Sequence, residues 1–249
     1  MENRNTVSIM DIPIDNLTMQ EAIDRLRLFL RGSRVHTVYT PNAEILMAAL
    51  RNSKLKSILC EADMLVADGA GVVLASKILG APVKEKVSGI DLVRNSMSAS
   101  SWGRTRYYLL GGKPGVAEAA AEKILKAYVN VEIAGCRNGY FKDSDEPGII
   151  EDINSSDADI LLVALGAPKQ EEWIYRNRSR LKVKVAIGVG GTLDVLAGKV
   201  RLAPEFMRKA GLEWLYRLYK EPWRYKRMLE LPRFVLLVLK MRFFRKNNK

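Results

Sequence analysis

Short apolar segments alternate with helix-length amphipathic ones through residues 1–198, and nearly every apolar segment stops at glycine or a small polar residue. His36-Thr37-Val38-Tyr39 ends in Thr40-Pro41-Asn42, the run 64–67 in Asp68-Gly69, and 107–110 in Gly111-Gly112. The run 131–134 leads to Arg137-Asn138-Gly139-Tyr140, 160–165 to Gly166-Ala167-Pro168, and 183–189 to Gly190-Gly191-Thr192. Between them the periodicity predicts helices. One follows the Thr18-Met19-Gln20-Glu21 capping box, with Ala22, Leu26, Phe29 and Leu30 on one face. Others are predicted from an Asn42 cap through about residue 61, over 70–79, over 89–100 with Ser88 as cap, and over 114–128, 147–154 and 169–180. No period of 20–50 residues marks a repeat array.

Strands that are apolar throughout, separated by helices, form parallel sheets covered on both faces. Residues 1–198 are therefore expected to be a Rossmann-like α/β core with a mostly parallel sheet. Ligands in such folds bind beyond the carboxyl ends of the strands. Those ends carry Thr40, Asn42, Asp68, Gly111, Gly112, Tyr140, Gly166, Gln170, Gly190, Gly191 and Asp194. Three strands end in glycine, which either lets a backbone approach a phosphate or simply makes a tight turn. Three on one sheet edge favour the phosphate. Neither GxGxxG nor GxxxxGK[ST] occurs, so the dinucleotide and P-loop fingerprints are missing. Asp68 could take a proton from a sugar hydroxyl or cap the next helix. Asp194 could bond a ribose or base edge or cap a turn. Gln170 could hold a sugar or phosphate oxygen or sit solvated in a first helical turn. Asp143-Ser144-Asp145 lies in a polar loop with no strand before it, so it reads as loop and cap rather than a metal site. No metal or cofactor is expected.

The single histidine, His36, is expected to pack locally, and one histidine leaves no room for a Ser-His-Asp triad. Cys60 and Cys136 match no metal spacing and read as free thiols in a cytosolic protein; the N-terminal residues form no apolar signal segment. Net charge is +12, of which +11 falls in residues 199–249, so the basic character belongs to a C-terminal appendage. Three readings of that appendage compete. A helix packed on the core suits part of 204–220 and suits the segment beyond Pro232 poorly, because apolar and basic residues are densely mixed there. A nucleic-acid arm would gain little from the apolar run 234–239. A helix lying among anionic lipid headgroups suits a run too short to span a bilayer and flanked by Lys and Arg. On this last reading, truncation after about Lys199 leaves a folded core.

In order along the chain stand Thr40-Pro41-Asn42-Ala43-Glu44, Ala67-Asp68-Gly69-x-Gly71 and Val87-Ser88-Gly89-Ile90-Asp91-Leu92. They are followed by Ala164-Leu165-Gly166-Ala167-Pro168-Lys169-Gln170-Glu171 and Val189-Gly190-Gly191-Thr192-Leu193-Asp194, then Gly211-Leu212-Glu213-Trp214-Leu215-Tyr216-Arg217 and Glu221-Pro222-x-Arg224-x-x-Arg227. Together they resemble the WecG/TagA/CpsF family of glycosyltransferases over essentially the whole chain, and most closely its N-acetylmannosaminyl-transferring branch in wall teichoic acid synthesis. The resemblance implies an inverting, metal-independent transfer of N-acetylmannosamine from UDP-N-acetylmannosamine to undecaprenyl-diphosphate-linked N-acetylglucosamine. It implies a protein held peripherally at the inner face of the plasma membrane, and leaves a homo-oligomer open. Asp68 then looks like the base, and Thr40, Asn42 and Gln170 like substrate-positioning residues. Arg217, Arg224 and Arg227 look like appendage arginines reaching the diphosphates. Lys86 stands where the family usually has a substrate-contacting arginine, keeping the charge and losing the bidentate fork. Two alternatives are another UDP-sugar donor, such as UDP-glucose or UDP-N-acetylmannosaminuronate, and, outside enzymes, a basic nucleic-acid-binding module of the same fold.

Overall fold

A computed structural model describes residues 4–99 and 102–247. A hairpin opens the chain, strands β1 (Thr6–Ile9) and β2 (Ile12–Asp15), followed by α1 (Met19–Leu30). The core then runs β3 (His36–Tyr39), α2 (Ala43–Arg51), α3 (Ser53–Cys60), β4 (Met64–Leu65), α4 (Ala70–Ile78) and α5 (Gly89–Ser98). It continues through β5 (Thr105–Gly111), α6 (Val116–Ala127), β6 (Val131–Arg137), α7 (Glu146–Ser155), β7 (Ile160–Ala164), α8 (Lys169–Asn177), β8 (Val185–Gly188) and α9 (Thr192–Leu196). The tail forms α10 (Glu205–Lys209), α11 (Glu213–Lys220), α12 (Tyr225–Met228) and α13 (Glu230–Asn247).

Strands β3 to β8 form one all-parallel sheet in the order β4-β3-β8-β7-β5-β6. Because side chains alternate across a strand, each strand feeds two cores. Tyr39, Leu65, Tyr108, Leu161 and Val163 point to one, against α2, α3, α4, α7 and α8. Val38, Met64, Tyr107, Ile160 and Leu162 point to the other, against α1, α5, α6 and α9. The expected Rossmann-like architecture with both faces covered is the one observed.

Three expectations need correcting. The helix after Asn42 is two helices, because the chain turns at Asn52 (φ −132°, ψ 98°), whose side chain accepts the Leu55 N–H at 3.1 Å and caps a new start. The hairpin at the N-terminus was not anticipated. Its turn uses Met10 and Asp11 at positive φ, without the Asn-Gly or Gly-Gly pair that usually announces such a turn. The last helix does not stop packing at Pro232. Pro232 lies in the first turn of α13, where a missing N–H costs no helical bond. From there Phe234 and Val238 enter the first core fully buried, beside α2 and α4, with Leu231, Leu237 and Met241 partly buried around them.

Candidate active site

The sheet order reverses in the middle. From β3 the chain moves to the β4 edge, from β5 to the β6 edge, and β8 and β7 later fill the gap. Such a reversal leaves a crevice beyond the strand ends, and here it is a cleft of about 880 Å³. Thr40 and Asn42 line it after β3, Asp68 after β4, Gly112 after β5 and Tyr140 after β6. Gly166 and Gln170 follow β7; Gly190, Gly191 and Asp194 follow β8; Arg217 and Arg227 reach it from the tail. Three lysines that sequence reasoning missed also line it: Lys113, Lys142 and Lys169. Their signal was position, since Lys113 directly follows Gly112, Lys142 lies two residues beyond Tyr140, and Lys169 opens α8. Their charges suit a cleft that accepts phosphate groups.

Two predicted residues are placed elsewhere, and a third cannot be placed. Gly111 does not line the cleft; it has φ +135° and a Cβ there would run into the Ala164 backbone, so it serves close packing of β5 on β7. Lys86 lines a second cavity instead. The side chain of Arg224 lies outside the described residues.

Asp68 does not cap the helix that follows it: the N-cap of α4 is Gly69, without a side-chain bond. Its Oδ2 instead accepts the Gly89 N–H at 3.1 Å, at the start of α5. Burial pushes the carboxyl up to about 6; the Gly89 N–H opposes this, Glu213 adds to it, and Arg217 and Lys86 pull back. Gly89 also permits a close approach, since a Cβ there would stand 2.9 Å from Thr40 Oγ1. Asn42 caps α2, its Oδ1 accepting the Ile45 N–H at 3.0 Å. Gln170 is buried rather than solvated. Its Oε1 accepts the Gly190 N–H at 2.9 Å while its Nε2 donates to Glu171 Oε1 at 2.9 Å, tying the end of β8 to α8. Burial raises the Glu171 carboxyl against this Gln170 hydrogen bond.

The second cavity, about 420 Å³, opens beneath the tail. Asn42, Asp68, Glu213, Arg217 and Arg227 line both spaces, so Asp68 stands on their common wall. Arg217 pairs with Glu213 at 2.6 Å and Arg227 with Glu44 at 2.9 Å, which holds both guanidiniums at the junction. Away from it, His36 stacks on Phe29 with ring centroids 4.1 Å apart, a local packing role as expected. Asp145 reaches the cleft, but its Oδ2 accepts the Lys142 N–H at 2.9 Å within its own turn.

Comparison with known proteins identifies the family. The profile of the Glycosyl transferase WecG/TagA/CpsF family matches residues 7–248. A Bacillus subtilis protein named N-acetylglucosaminyldiphosphoundecaprenol N-acetyl-beta-D-mannosaminyltransferase is 34% identical over 236 residues, 94% of this chain and 91% of its own length. Its namesake from Bacillus spizizenii is 36% identical over 203 residues, 82% of this chain and 78% of the relative. A Staphylococcus aureus namesake is 32% identical over 243 residues, 96% and 95% of the two chains. A parallel sheet with its cleft at the reversal, and a match that runs from the first hairpin to the last helix, make the chain a glycosyltransferase of the WecG/TagA/CpsF family.

Proposed function

We propose that the protein transfers N-acetylmannosamine from UDP-N-acetylmannosamine to undecaprenyl-diphosphate-linked N-acetylglucosamine, building the linkage unit of wall teichoic acid. The acceptor follows the names of the relatives above. The observation that carries the mechanism is the position of Asp68 on the wall shared by two cavities, with its carboxyl pushed up to about 6. A donor in the larger cleft and an acceptor in the smaller cavity meet at that carboxylate. The acceptor hydroxyl loses its proton to Asp68 as its oxygen bonds to the anomeric carbon. The bond from that carbon to the phosphate oxygen breaks on the opposite side, and UDP leaves with the electron pair. Attack opposite the leaving group inverts the anomeric centre. Lys113, Lys142, Lys169 and Arg217 line the space where the leaving charge develops and place positive charge around it. On this reading the reaction needs no divalent metal, and Asp143-Ser144-Asp145 forms a short turn that opens α7 rather than a pair of ligands at a strand end.

The chain works at the inner face of the plasma membrane as a peripheral protein. Among the described residues no helix is long and apolar enough to cross a membrane. Phe206, Tyr219, Trp223, Leu236 and Phe243 are exposed on a tail carrying a net charge of +11, which suits contact with anionic headgroups.

The test is Asp68→Asn, assayed with a panel of UDP-sugars and a short-chain prenyl-diphosphate N-acetylglucosamine acceptor. Turnover should fall by ~10²–10⁴-fold, the usual cost of losing a general base, with UDP binding retained. A variant within threefold of wild type removes Asp68 from its role. Preference for UDP-glucose or UDP-N-acetylmannosaminuronate in the panel would replace the donor, and full loss in EDTA restored by Mg²⁺ would end the metal-free mechanism.

A further inference from the structure

The second cavity combines two kinds of lining. Leu74, Trp214, Leu231 and Val235 make part of it apolar, while Lys86 and Arg208 bring positive charge. The other two guanidiniums at this cavity are already matched by carboxylates at 2.6 and 2.9 Å. Arg208 is poorly matched: its ion pair with Asp91 spans 3.7 Å, and its buried Nε–H meets no acceptor among the described residues. The rest of the guanidinium is partly exposed at the cavity and only loosely held by Asp91, so a phosphate can meet it with two oxygens at once. Lys86 is close enough to Asp68 to pull its carboxyl down. Neither Lys86 nor Arg208 lines the larger cleft, where Lys113, Lys142 and Lys169 stand. Each space adjoining Asp68 thus has cations of its own, with Arg217 and Arg227 shared between them. Two diphosphates, one on each substrate, match that division.

We propose that Arg208 and Lys86 bind the diphosphate of the prenyl-linked acceptor in the second cavity, with its sugar toward Asp68 and its first isoprene units along Leu74, Trp214 and Val235. The inference rests on the proposed acceptor and adds which residues hold it and in which direction it lies. The apolar lining beside the cations separates this site from a simple anion site: it fits a ligand that changes from diphosphate to hydrocarbon within a few bonds.

Calorimetric titration of the full chain with farnesyl diphosphate, with UDP, and with farnesyl monophosphate tests it without turnover. The wild type should bind farnesyl diphosphate. Arg208→Ala should weaken that binding at least tenfold and change UDP binding less than twofold, with Arg208→Lys recovering part of the loss. The same substitution should cost the monophosphate less, since one phosphate group fewer is held. Absence of wild-type binding, farnesyl diphosphate affinity within twofold in Arg208→Ala, or an equal loss for UDP would each overturn the assignment. No sugar donor is present in this experiment, so its outcome is independent of which UDP-sugar the enzyme prefers.

Discussion

Asp68 pays for its position in stability, and the cost has a definite pH signature. Burial lifts its carboxyl from 3.8 to about 6, so the folded protein binds that proton more tightly than the unfolded chain does. A raised carboxyl contributes most to stability below its unfolded value, and that contribution is lost as pH rises through about 6. Asp68→Asn should therefore leave stability at pH 4 nearly unchanged and raise it at pH 7.5. Two pKa units correspond to about 3 kcal/mol, and solvent screening at a group that is not fully buried leaves on the order of 1–2 kcal/mol of it. Thermal melts of both proteins at the two pH values check this; equal melting temperatures at pH 7.5 would contradict it. In the same window kcat/KM should fall below about pH 6 as the base takes up its proton. Arg217→Ala, which removes a group that lowers the Asp68 carboxyl, should move that acid limb upward. At this scale the sequence showed the strand-end residues because strand ends are read from where apolar runs stop. It did not show Arg208 or the second cavity's claim on Lys86, because both depend on how the tail folds back over α4 and α5. Nor did it show the Gln170–Glu171 hydrogen bond, since adjacent residues on a helix do not usually face each other.

Helix α13 is the element whose role differs most from its sequence pattern. Its apolar and basic residues are mixed around the whole circumference, so no single stripe predicted which face would be buried. Packing chose Phe234 and Val238, which α2 and α4 cover, while Leu236, Leu239, Phe243 and Phe244 stay exposed. Arg51 binds Glu230 at 2.7 Å and strengthens the attachment at the start of the helix. Phe234→Ala should cost about 3–5 kcal/mol, the usual range for a large aromatic removed from a core. Denaturant unfolding measures it, and a loss under 1 kcal/mol would mean that α13 is only loosely docked. By the same reasoning, truncation after Lys199 is expected to leave a destabilised and aggregation-prone remainder rather than an independent core, because it uncovers α2 and α4. The remaining elements were legible where a cap and a period coincided, as at Thr18 and Ser88. They were not legible where a lone Asn52 broke a continuous apolar period.

Over the whole molecule, positive charge is concentrated in the tail, and the exposed aromatics other than Tyr140 lie there too. Association with anionic vesicles should therefore be strong at 0.1 M salt and largely lost at 1 M, as the Debye length falls from about 10 Å to about 3 Å. Co-sedimentation at the two salt concentrations reads this, and unchanged binding would assign the attraction to apolar contact alone. The sheet order carries a further consequence, for how the chain is made. The strand at the middle of the sheet, β8, is the last to be synthesised, and it joins β3, whose His36 pairs with Val185 from far along the chain. Until β8 emerges, β3 and β4 on one side and β5, β6 and β7 on the other have no common seam. At roughly 5–20 residues per second, the ribosome leaves β3 waiting for its neighbour for roughly 7–30 s. During that interval its apolar residues are open to chaperones. A pause or a stop upstream of residue 185 would release two half-sheets, each ending in an unpaired central edge, the kind of edge that recruits other chains.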